Sequence, residues 1–159
     1  MKLLNLIFIG IISGGFHIVQ VSAQVPVEAN ETPIEFFQKI VNLARNFDNS
    51  AIQYYSDDAK IHAYRRYPHG LERSMEFTGT QWKQVMELVM PVAKTRNDRS
   101  SYSDVRVVKS GENYKIKATR YSELKCYTDT GYYLVIEPDG NGSFRVIEQY
   151  METQPQSDC

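Results

Sequence analysis

The sequence is poor in the side chains that bind metals. It contains only two cysteines and three histidines among 159 residues. His62 and His69 are seven positions apart beside a turn that contains Pro68 and Gly70, so they lack the close pairing of typical metal-binding motifs. No motif in the chain specifies a chemistry. We therefore predict a protein that holds no metal and no cofactor.

The chain also lacks a hydrophobic run long enough to span a bilayer. Its most apolar stretch, Leu3 to Ile12, covers about 10 residues, whereas a membrane-spanning helix needs about 20. Lys2 before this stretch and Val21-Ser22-Ala23 after it are typical of a secretory signal peptide. We predict a signal peptide at residues 1–23, a flexible lead-in at residues 24–31 and a secreted or periplasmic protein without a membrane span. A membrane anchor is the alternative.

Neither sign of charge dominates the sequence. The chain has 18 lysines and arginines against 19 aspartates and glutamates, and loss of Lys2 with the signal peptide would leave a net charge of −2. The basic side chains are scattered and form no stripe. Nucleic acids and anionic membranes attract strongly basic surfaces, so this balance gives no reason to expect either as a partner.

The two cysteines are Cys126 and Cys159, the last residue. An exported chain meets an oxidising compartment, where an even number of cysteines favours a disulfide. The bond would hold the polar tail, residues 154–159, against the strand that carries Cys126. A catalytic thiol is the alternative, but no histidine or other base is identifiably placed beside either cysteine.

Three helices are predicted in the first two thirds of the chain. Thr32, Pro33 and Glu35 form the start of the first, because Thr is a good N-cap, Pro suits the first helical position and Glu three residues later completes a capping box. Residues 50–55 indicate a short second helix. The third is predicted to begin at Thr80 as its N-cap and to weaken or bend at Pro91.

The rest of the chain predicts a sheet. Alternating apolar and polar residues, the pattern of half-buried strands, recur between turn-forming sequences. The strand after Tyr132 is apolar on both sides, which is typical of a central strand covered on both faces. We predict an α+β fold in which a curved, mostly antiparallel sheet wraps around the N-terminal helices. Its strands are predicted at Lys60–Tyr67, Ser74–Thr78, Tyr102–Lys109, Asn113–Tyr127, Thr128–Pro138 and Ser143–Thr153.

This order of elements resembles the nuclear transport factor 2-like superfamily, which includes ketosteroid isomerases, scytalone dehydratase and polyketide-cyclase-like proteins. The most specific part of the resemblance is the phrase Tyr55-Ser56-Asp57-Asp58-Ala59-Lys60-Ile61, and Phe77-Thr78-Gly79-Thr80 provides the glycine that these proteins carry before their third helix. The resemblance implies a cone-shaped domain at residues 32–153 with a pocket open at one end. It also implies a possible homodimer through the outer face of the sheet.

The catalytic residues of ketosteroid isomerases do not carry over. The resemblance places their general-base aspartate at Ala63, their helix-1 tyrosine near Lys39 and their later aspartate near Tyr132 or Tyr133. None of these positions holds the required group, and a methyl group cannot abstract a proton. Scytalone dehydratase relies on His and Tyr groups in its pocket, whereas this chain has only His62 and His69 after the predicted signal peptide, and strand alternation places His62 opposite Ala63 and outside the cone.

Five residues are the candidates for ligand binding. If strand alternation continues unbroken, the concave faces of three strands end in Arg65 and Tyr67, in Arg120, and in Glu148 and Tyr150. Two arginines at the mouth of the pocket could hold an anionic small molecule. A solvated Arg–Glu pair at the rim of the sheet is the alternative.

We therefore predict an exported domain that binds a small molecule or a protein and carries no evident catalytic machinery. The alternative is a small pocket enzyme, a dehydratase or isomerase, that uses Tyr, Arg and Glu groups in the cone. The sequence disfavours an enzyme, because the positions that hold the catalytic acids and bases in ketosteroid isomerases carry no such group here.

Overall fold

A computed structural model describes residues 30–154 and residue 159. The predicted signal peptide and most of the predicted lead-in lie outside these residues. Two α-helices and a short 3₁₀-helix at Asn49–Tyr54 accompany one sheet of seven strands. The helices are α1, Pro33–Arg45, and α2, Gly79–Arg96. Within this part of the chain, no helix is both long and apolar enough to span a membrane.

The sheet is mixed but mostly antiparallel. The strands lie in the order β2-β1-β7-β6-β4-β3, with β5 paired to β4, and only β1 and β7 run parallel. Helices α1 and α2 cover one face of this curved sheet, as the sequence predicts. The strands are β1 Tyr55–Arg66, β2 Glu72–Thr78, β3 Ser100–Ser110, β4 Asn113–Ser122, β5 Tyr127–Asp129, β6 Tyr133–Pro138 and β7 Phe144–Thr153.

The two helix starts differ in how well the sequence predicted them. Helix α1 has the expected capping box, in which Thr32 and Glu35 exchange hydrogen bonds. Helix α2 begins earlier than predicted, because Thr78 and not Thr80 is its N-cap. The Thr78 hydroxyl accepts from the Gln81 N–H at 3.2 Å, and the Gln81 side chain accepts from the Thr78 N–H at 2.9 Å. The helix then continues through Pro91 to its end.

The predicted long strand Asn113–Tyr127 is wrong, because it is two strands. Strand β4 ends at Ser122, and β5 folds back against it to pair Arg120 with Asp129. The turn between them places Cys126 at a φ of +48°, a left-handed conformation that an extended strand cannot contain. The Cys126 and Cys159 sulfurs lie 2.01 Å apart, at disulfide-bonding distance, as predicted.

The core lies on the concave face alone. Phe36, Phe37 and Ile40 of α1 pack on a layer of strand residues that includes Ile61, Ile116, Leu134, Ile136 and Val146. The prediction that β6 is covered on both faces is wrong. Leu134 and Ile136 are buried under the helices, but Tyr133 and Val135 on the outer face are only half-buried, because no element among residues 30–154 covers them.

Candidate functional site

A cavity of about 360 Å³ opens between the helices and the concave face of the sheet. Much of its wall is apolar and comes from both helices and from β7. Most of its polar groups come from the strands and lie on the sheet side, and Asp98 and Lys125 come from the loops after α2 and β4. A bound molecule would therefore contact one apolar wall and one hydrogen-bonding wall. The apolar wall includes Ile40, Val41, Ala44, Trp82, Met86 and Met151, and the polar wall includes Tyr55, Ser100, Tyr102, Arg120, Ser122, Tyr132, Gln149 and Thr153.

Three tyrosines, Tyr55 and Tyr132 buried and Tyr102 half-buried, form the hydrogen-bonding part of this wall. The Tyr55 hydroxyl donates to Gln149 Oε1 at 2.5 Å. The rings of Tyr102 and Tyr132 meet edge to face with centroids 5.1 Å apart. Burial raises the pKa of all three phenols above the ordinary value, most of all for Tyr132. They are therefore neutral at physiological pH, when they can donate hydrogen bonds but cannot act as bases.

Arg120 is the more deeply buried of the two basic residues that line the cavity, the other being Lys125, and it lies there as the strand alternation of β4 predicts. Its side chain is only 12% exposed, and its Nε lies 3.5 Å from Asp129 Oδ2. The guanidinium also donates to the Glu152 carbonyl and, at 3.3 Å, to Ser100 Oγ. Its Nε has no hydrogen-bond partner among the described residues. Arg120 is thus held from several sides while it lines the cavity.

Asp129 is the carboxylate that balances this charge. It is fully buried and accepts the backbone N–H groups of Gly131 at 2.9 Å and Glu152 at 2.8 Å. Burial raises the pKa of the Asp129 carboxyl, against the lowering effects of those N–H groups and of Arg120. Because the Arg120 charge is already countered, the cavity favours an uncharged ligand with an oxygen acceptor over an anion.

The placement of Glu148 and Tyr150 at the cavity mouth is wrong. A β-bulge in β7 leaves Ile147 unpaired, so that Ile136 pairs with Val146 whereas Val135 pairs with Glu148. One extra residue reverses the alternation of everything after it. Gln149 and Met151 consequently face the cavity, and Glu148 and Tyr150 face the outer surface of the sheet. A contact between these two residues and a ligand stays a prediction, but such a ligand would bind outside this cavity.

Arg65 and Tyr67 also lie away from the cavity lining. Arg65 pairs with Arg73 across the β1–β2 hairpin, toward the end of β1. Tyr67 follows β1 in the hairpin turn, where its ring lies 5.5 Å from that of His69. Of the five candidates, only Arg120 lines the cavity. The two arginines therefore do not converge on one anion there, and the roles of Arg65 and Tyr67 stay predictions.

The residues that sequence reasoning missed are Tyr55, Tyr102, Tyr132 and Gln149. Tyr55 belongs to the phrase that carries the resemblance, but nothing in that phrase assigns its hydroxyl a role, and no motif contains the other three. The available signal was the pair of apolar neighbours Val146 and Ile147 in an otherwise alternating strand, which is where the bulge occurs.

The outer face of the sheet carries a separate row of aromatic side chains. Tyr133 and Tyr150 stack at 5.6 Å with an interplanar angle of 10°, and Tyr64 stacks on the other side of Tyr150 at 6.5 Å. Lys115 Nζ lies 3.5 Å from the centre of the Tyr133 ring, at one end of the row. Glu148 accepts from the Tyr133 hydroxyl at 2.6 Å, beside His62, which lies on this face as predicted.

The cavity is better equipped to bind than to transfer protons. Its tyrosines and Arg120 are donors, and Asp98 is the only carboxylate among the described residues that line it. Asp98 follows the C-terminal end of α2, where its backbone N–H bonds the Ala93 carbonyl at 2.9 Å. This arrangement can orient a carbonyl or ether oxygen against an apolar wall, the usual composition of a small-molecule site.

No protein-family model matches the sequence, and no curated protein resembles it at a significant level. Solved structures resemble the fold. An NTF2-like protein of unknown function from Pseudomonas putida KT2440 superposes with a TM-score of 0.55 and 14% identity over 75% of this chain and 82% of that chain. An NTF2-like protein from Cytophaga hutchinsonii ATCC 33406 gives 0.53 and 12%, over 76% of this chain and 93% of that chain.

A protein from Parabacteroides distasonis ATCC 8503, provisionally assigned as a ketosteroid isomerase, gives a TM-score of 0.52 and 16% identity over 77% of this chain and 89% of that chain. Similarity at these identities concerns the backbone and does not transfer an activity. The order of the strands, the helices on the concave face and these superpositions agree. The chain therefore has the nuclear transport factor 2-like fold.

Proposed function

We propose that this protein binds a small, mostly apolar molecule through an oxygen acceptor, inside the cavity of the cone. The observation that carries the proposal is the polar wall of Tyr102, Tyr132 and Arg120, set opposite Trp82 and the apolar residues of both helices. Neutral phenols held in a partly dry site make strong donors to a carbonyl, because water competes poorly there. The balanced charge of Arg120 favours an uncharged group over a carboxylate.

We also propose that the protein acts outside the cytoplasm. A bond between Cys126 and Cys159 persists in oxidising compartments and is rare where thiols are kept reduced. The predicted signal peptide agrees with this location. A contact with a second copy through the outer sheet face stays a prediction, supported by the half-buried Tyr133 and Val135 on that face.

The test is a thermal-shift screen of the purified chain against small acids, sterols and lipids, with steroid and aromatic ketones as the favoured class. A ligand at about 100 times its Kd should raise the melting temperature by roughly 5–10 °C. Tyr102→Phe and Tyr132→Phe each remove one donor and keep the ring, so each should weaken binding by about 2- to 10-fold. Tyr133→Phe, on the outer face, is the matched control and should bind normally.

Two outcomes would overturn this proposal. One is a melting temperature that no compound changes. The other is a ligand whose binding is weakened by Tyr133→Phe and not by the cavity variants, because that ligand would bind the outer face.

A dehydratase or isomerase is the second candidate, and the observation that favours it is Asp98. A carboxylate on the cavity lining could remove a proton from a substrate whose oxygen the tyrosines hold. Asp98→Asn separates the two readings, because the amide keeps the size of the side chain and loses the base. A binding protein should retain its affinity for the ligand in this variant, whereas an enzyme should retain binding and lose turnover.

A further inference from the structure

Two Asn-x-Ser/Thr sequences, the acceptor pattern for N-linked glycans, lie together at one end of the molecule. They are Asn30-Glu31-Thr32, just before α1, and Asn141-Gly142-Ser143, in the turn between β6 and β7. The asparagines are far apart in the sequence, but the Asn30 N–H donates to the Gly142 carbonyl at 2.8 Å. Both asparagines are exposed. The fold therefore brings the two acceptor sequences to one place on the surface.

The Asp139 carboxylate holds the turn that carries Asn141. Its Oδ1 accepts the N–H groups of Asn141 at 2.8 Å and of Ser143 at 3.0 Å. Asn141 lies between Gly140 and Gly142, two glycines with positive φ that supply the sharp bend. Backbone conformation and Asp139 thus shape the turn, and an exposed residue in such a turn can carry a bulky polar group without disturbing the core.

The side chain of Asn30 is placed differently. A Cβ atom at Gly142 would lie 3.0 Å from Asn30 Nδ2, so the Asn30 amide packs closely against the backbone of the turn. A sugar on that nitrogen would compete for space with Gly142. Of the two acceptor sequences, the geometry therefore favours the one that contains Asn141.

We propose that Asn141 carries an N-linked glycan. In this reaction the amide nitrogen attacks C1 of the first sugar of a lipid-linked oligosaccharide diphosphate. A C1–N bond forms as the C1–O bond breaks, the lipid diphosphate leaves with the electron pair, and the nitrogen loses one proton. The inference rests on the proposed export of the chain, because this modification belongs to secreted proteins.

The order of modification and folding follows from the contacts of Ser143, whose hydroxyl completes the acceptor sequence. Ser143 Oγ donates to Glu31 Oε2 at 2.7 Å, and the same oxygen accepts from Lys39 Nζ at 2.8 Å. The folded chain therefore occupies the hydroxyl that the transferase must recognise. The sugar is added while the chain enters the secretory compartment, before Glu31 reaches the turn.

A glycan at this turn leaves the cavity accessible. Asn141 precedes β7, whereas Gln149 and Met151 in the second half of that strand line the cavity. The stretch from Ser143 to Gln149 spans about 20 Å at about 3.3 Å per residue. On α1 the order is the same, because the cavity residues begin at Ile40 and the helix starts beside the turn. Ligand binding should therefore be equal with and without the glycan.

The experiment is mass spectrometry of the full chain, with residues 1–23 present, secreted by cultured insect cells. Asn30→Gln is included in every variant, so that only the acceptor sequence at Asn141 is measured. We expect this chain to carry a mass increment that peptide-N-glycosidase removes, leaving an aspartate in place of Asn141. Adding Asn141→Gln should abolish the increment, and because Asn141 is exposed the fold should survive.

Two substitutions at Ser143 form a matched pair. Ser143→Ala destroys the acceptor sequence but keeps Asn141, so the increment should be lost. Ser143→Thr keeps the hydroxyl and the acceptor sequence, so the increment should remain. The pair separates enzymatic N-glycosylation from any other modification of the Asn141 side chain, which would not depend on the hydroxyl two residues later.

Two results would overturn this inference alone. One is a chain that is secreted without the increment, and the other is an increment that survives Asn141→Gln, because the sugar would then be attached elsewhere. A chain that stays in the cytoplasm with residues 1–23 uncleaved would overturn the proposed export and this inference together. The two failures are therefore distinguishable.

Discussion

The hydrogen bond between Tyr55 and Gln149 tests the bulge in β7 most sharply. The structure places the Gln149 side chain inside the cone, only 4% exposed, because Ile147 shifts the register. The Tyr55 hydroxyl donates to it at 2.5 Å. A strand without the bulge would instead present Glu148 to the interior and Gln149 to solvent, so the two arrangements predict opposite mutational effects.

The expected magnitude comes from the burial of both partners. Tyr55→Phe leaves the Gln149 carbonyl without its donor, and Gln149→Leu leaves the Tyr55 hydroxyl without its acceptor. A buried polar group that loses its partner costs about 1–3 kcal/mol, so each variant should lower the free energy of unfolding by that amount. The double variant removes both groups and should cost less than the sum, with a coupling of about 1–2 kcal/mol.

Urea unfolding followed by circular dichroism, with the disulfide intact, measures this cycle. The matched control is the half-buried pair on the outer face, Tyr133 and Glu148, for which Tyr133→Phe and Glu148→Leu should each cost about 1 kcal/mol or less. Strictly additive effects of the Tyr55 and Gln149 variants, together with a large loss from Glu148→Leu, would refute the bulge and the orientation of the polar wall.

Three further predictions concern the rest of the fold. Reduction of the Cys126–Cys159 bond, which joins residues 33 positions apart, should lower the free energy of unfolding by up to about 3–4 kcal/mol. The melting temperature of Cys126→Ser should be lower than that of the wild type and insensitive to reductant. A wild-type protein whose melting temperature is unaffected by reductant would contradict this. Thr78→Ala should cost about 1 kcal/mol because it removes the N-cap of α2, whereas Thr80→Ala should cost less than half of that; equal urea midpoints for the two variants would count against the assigned helix start. Burial and the hydrogen bond to Glu148 raise the pKa of Tyr133 to about 12. The neutral Tyr133 should therefore contribute fully to stability below pH 10, the ordinary pKa of tyrosine, and this contribution should be lost as the pH rises through 12. An absorbance titration in which all eleven tyrosines of the folded chain ionise near pH 10 would be inconsistent with this packing.

The sequence was informative wherever a local signal decides the structure. The capping box of Thr32 and Glu35 fixes the start of α1, and the alternation in β4 correctly places Arg120 inside the cone. Thr78 and Gln81 offered an equally good capping box for α2, so the choice of Thr80 overlooked an available signal. These features depend on residues two or three positions apart, and the physics that governs them is visible in the sequence.

The site itself depended on contacts between distant strands. One unpaired residue, Ile147, decides whether Glu148 or Gln149 faces the cavity, and the pairing that creates the bulge involves β6 and β1. The turn that holds Cys126 in a left-handed conformation likewise interrupts a stretch that the sequence predicts as one strand. Pairing between strands that are distant in the sequence determines both features, so strand alternation alone could not predict which side chains would line the cavity.

The positions of the methionines make one NMR measurement decisive for the central claim, that the cavity is the binding site. Met86 and Met151 line the cavity, whereas Met75 is exposed on β2. A compound found in the thermal-shift screen is titrated into protein labelled with ¹³C at the methionine methyl groups. The account predicts that the Met86 and Met151 signals shift together, with one Kd, while the Met75 signal stays in place at constant protein concentration. A compound that raises the melting temperature and moves the Met75 signal, or none of the three, would contradict it.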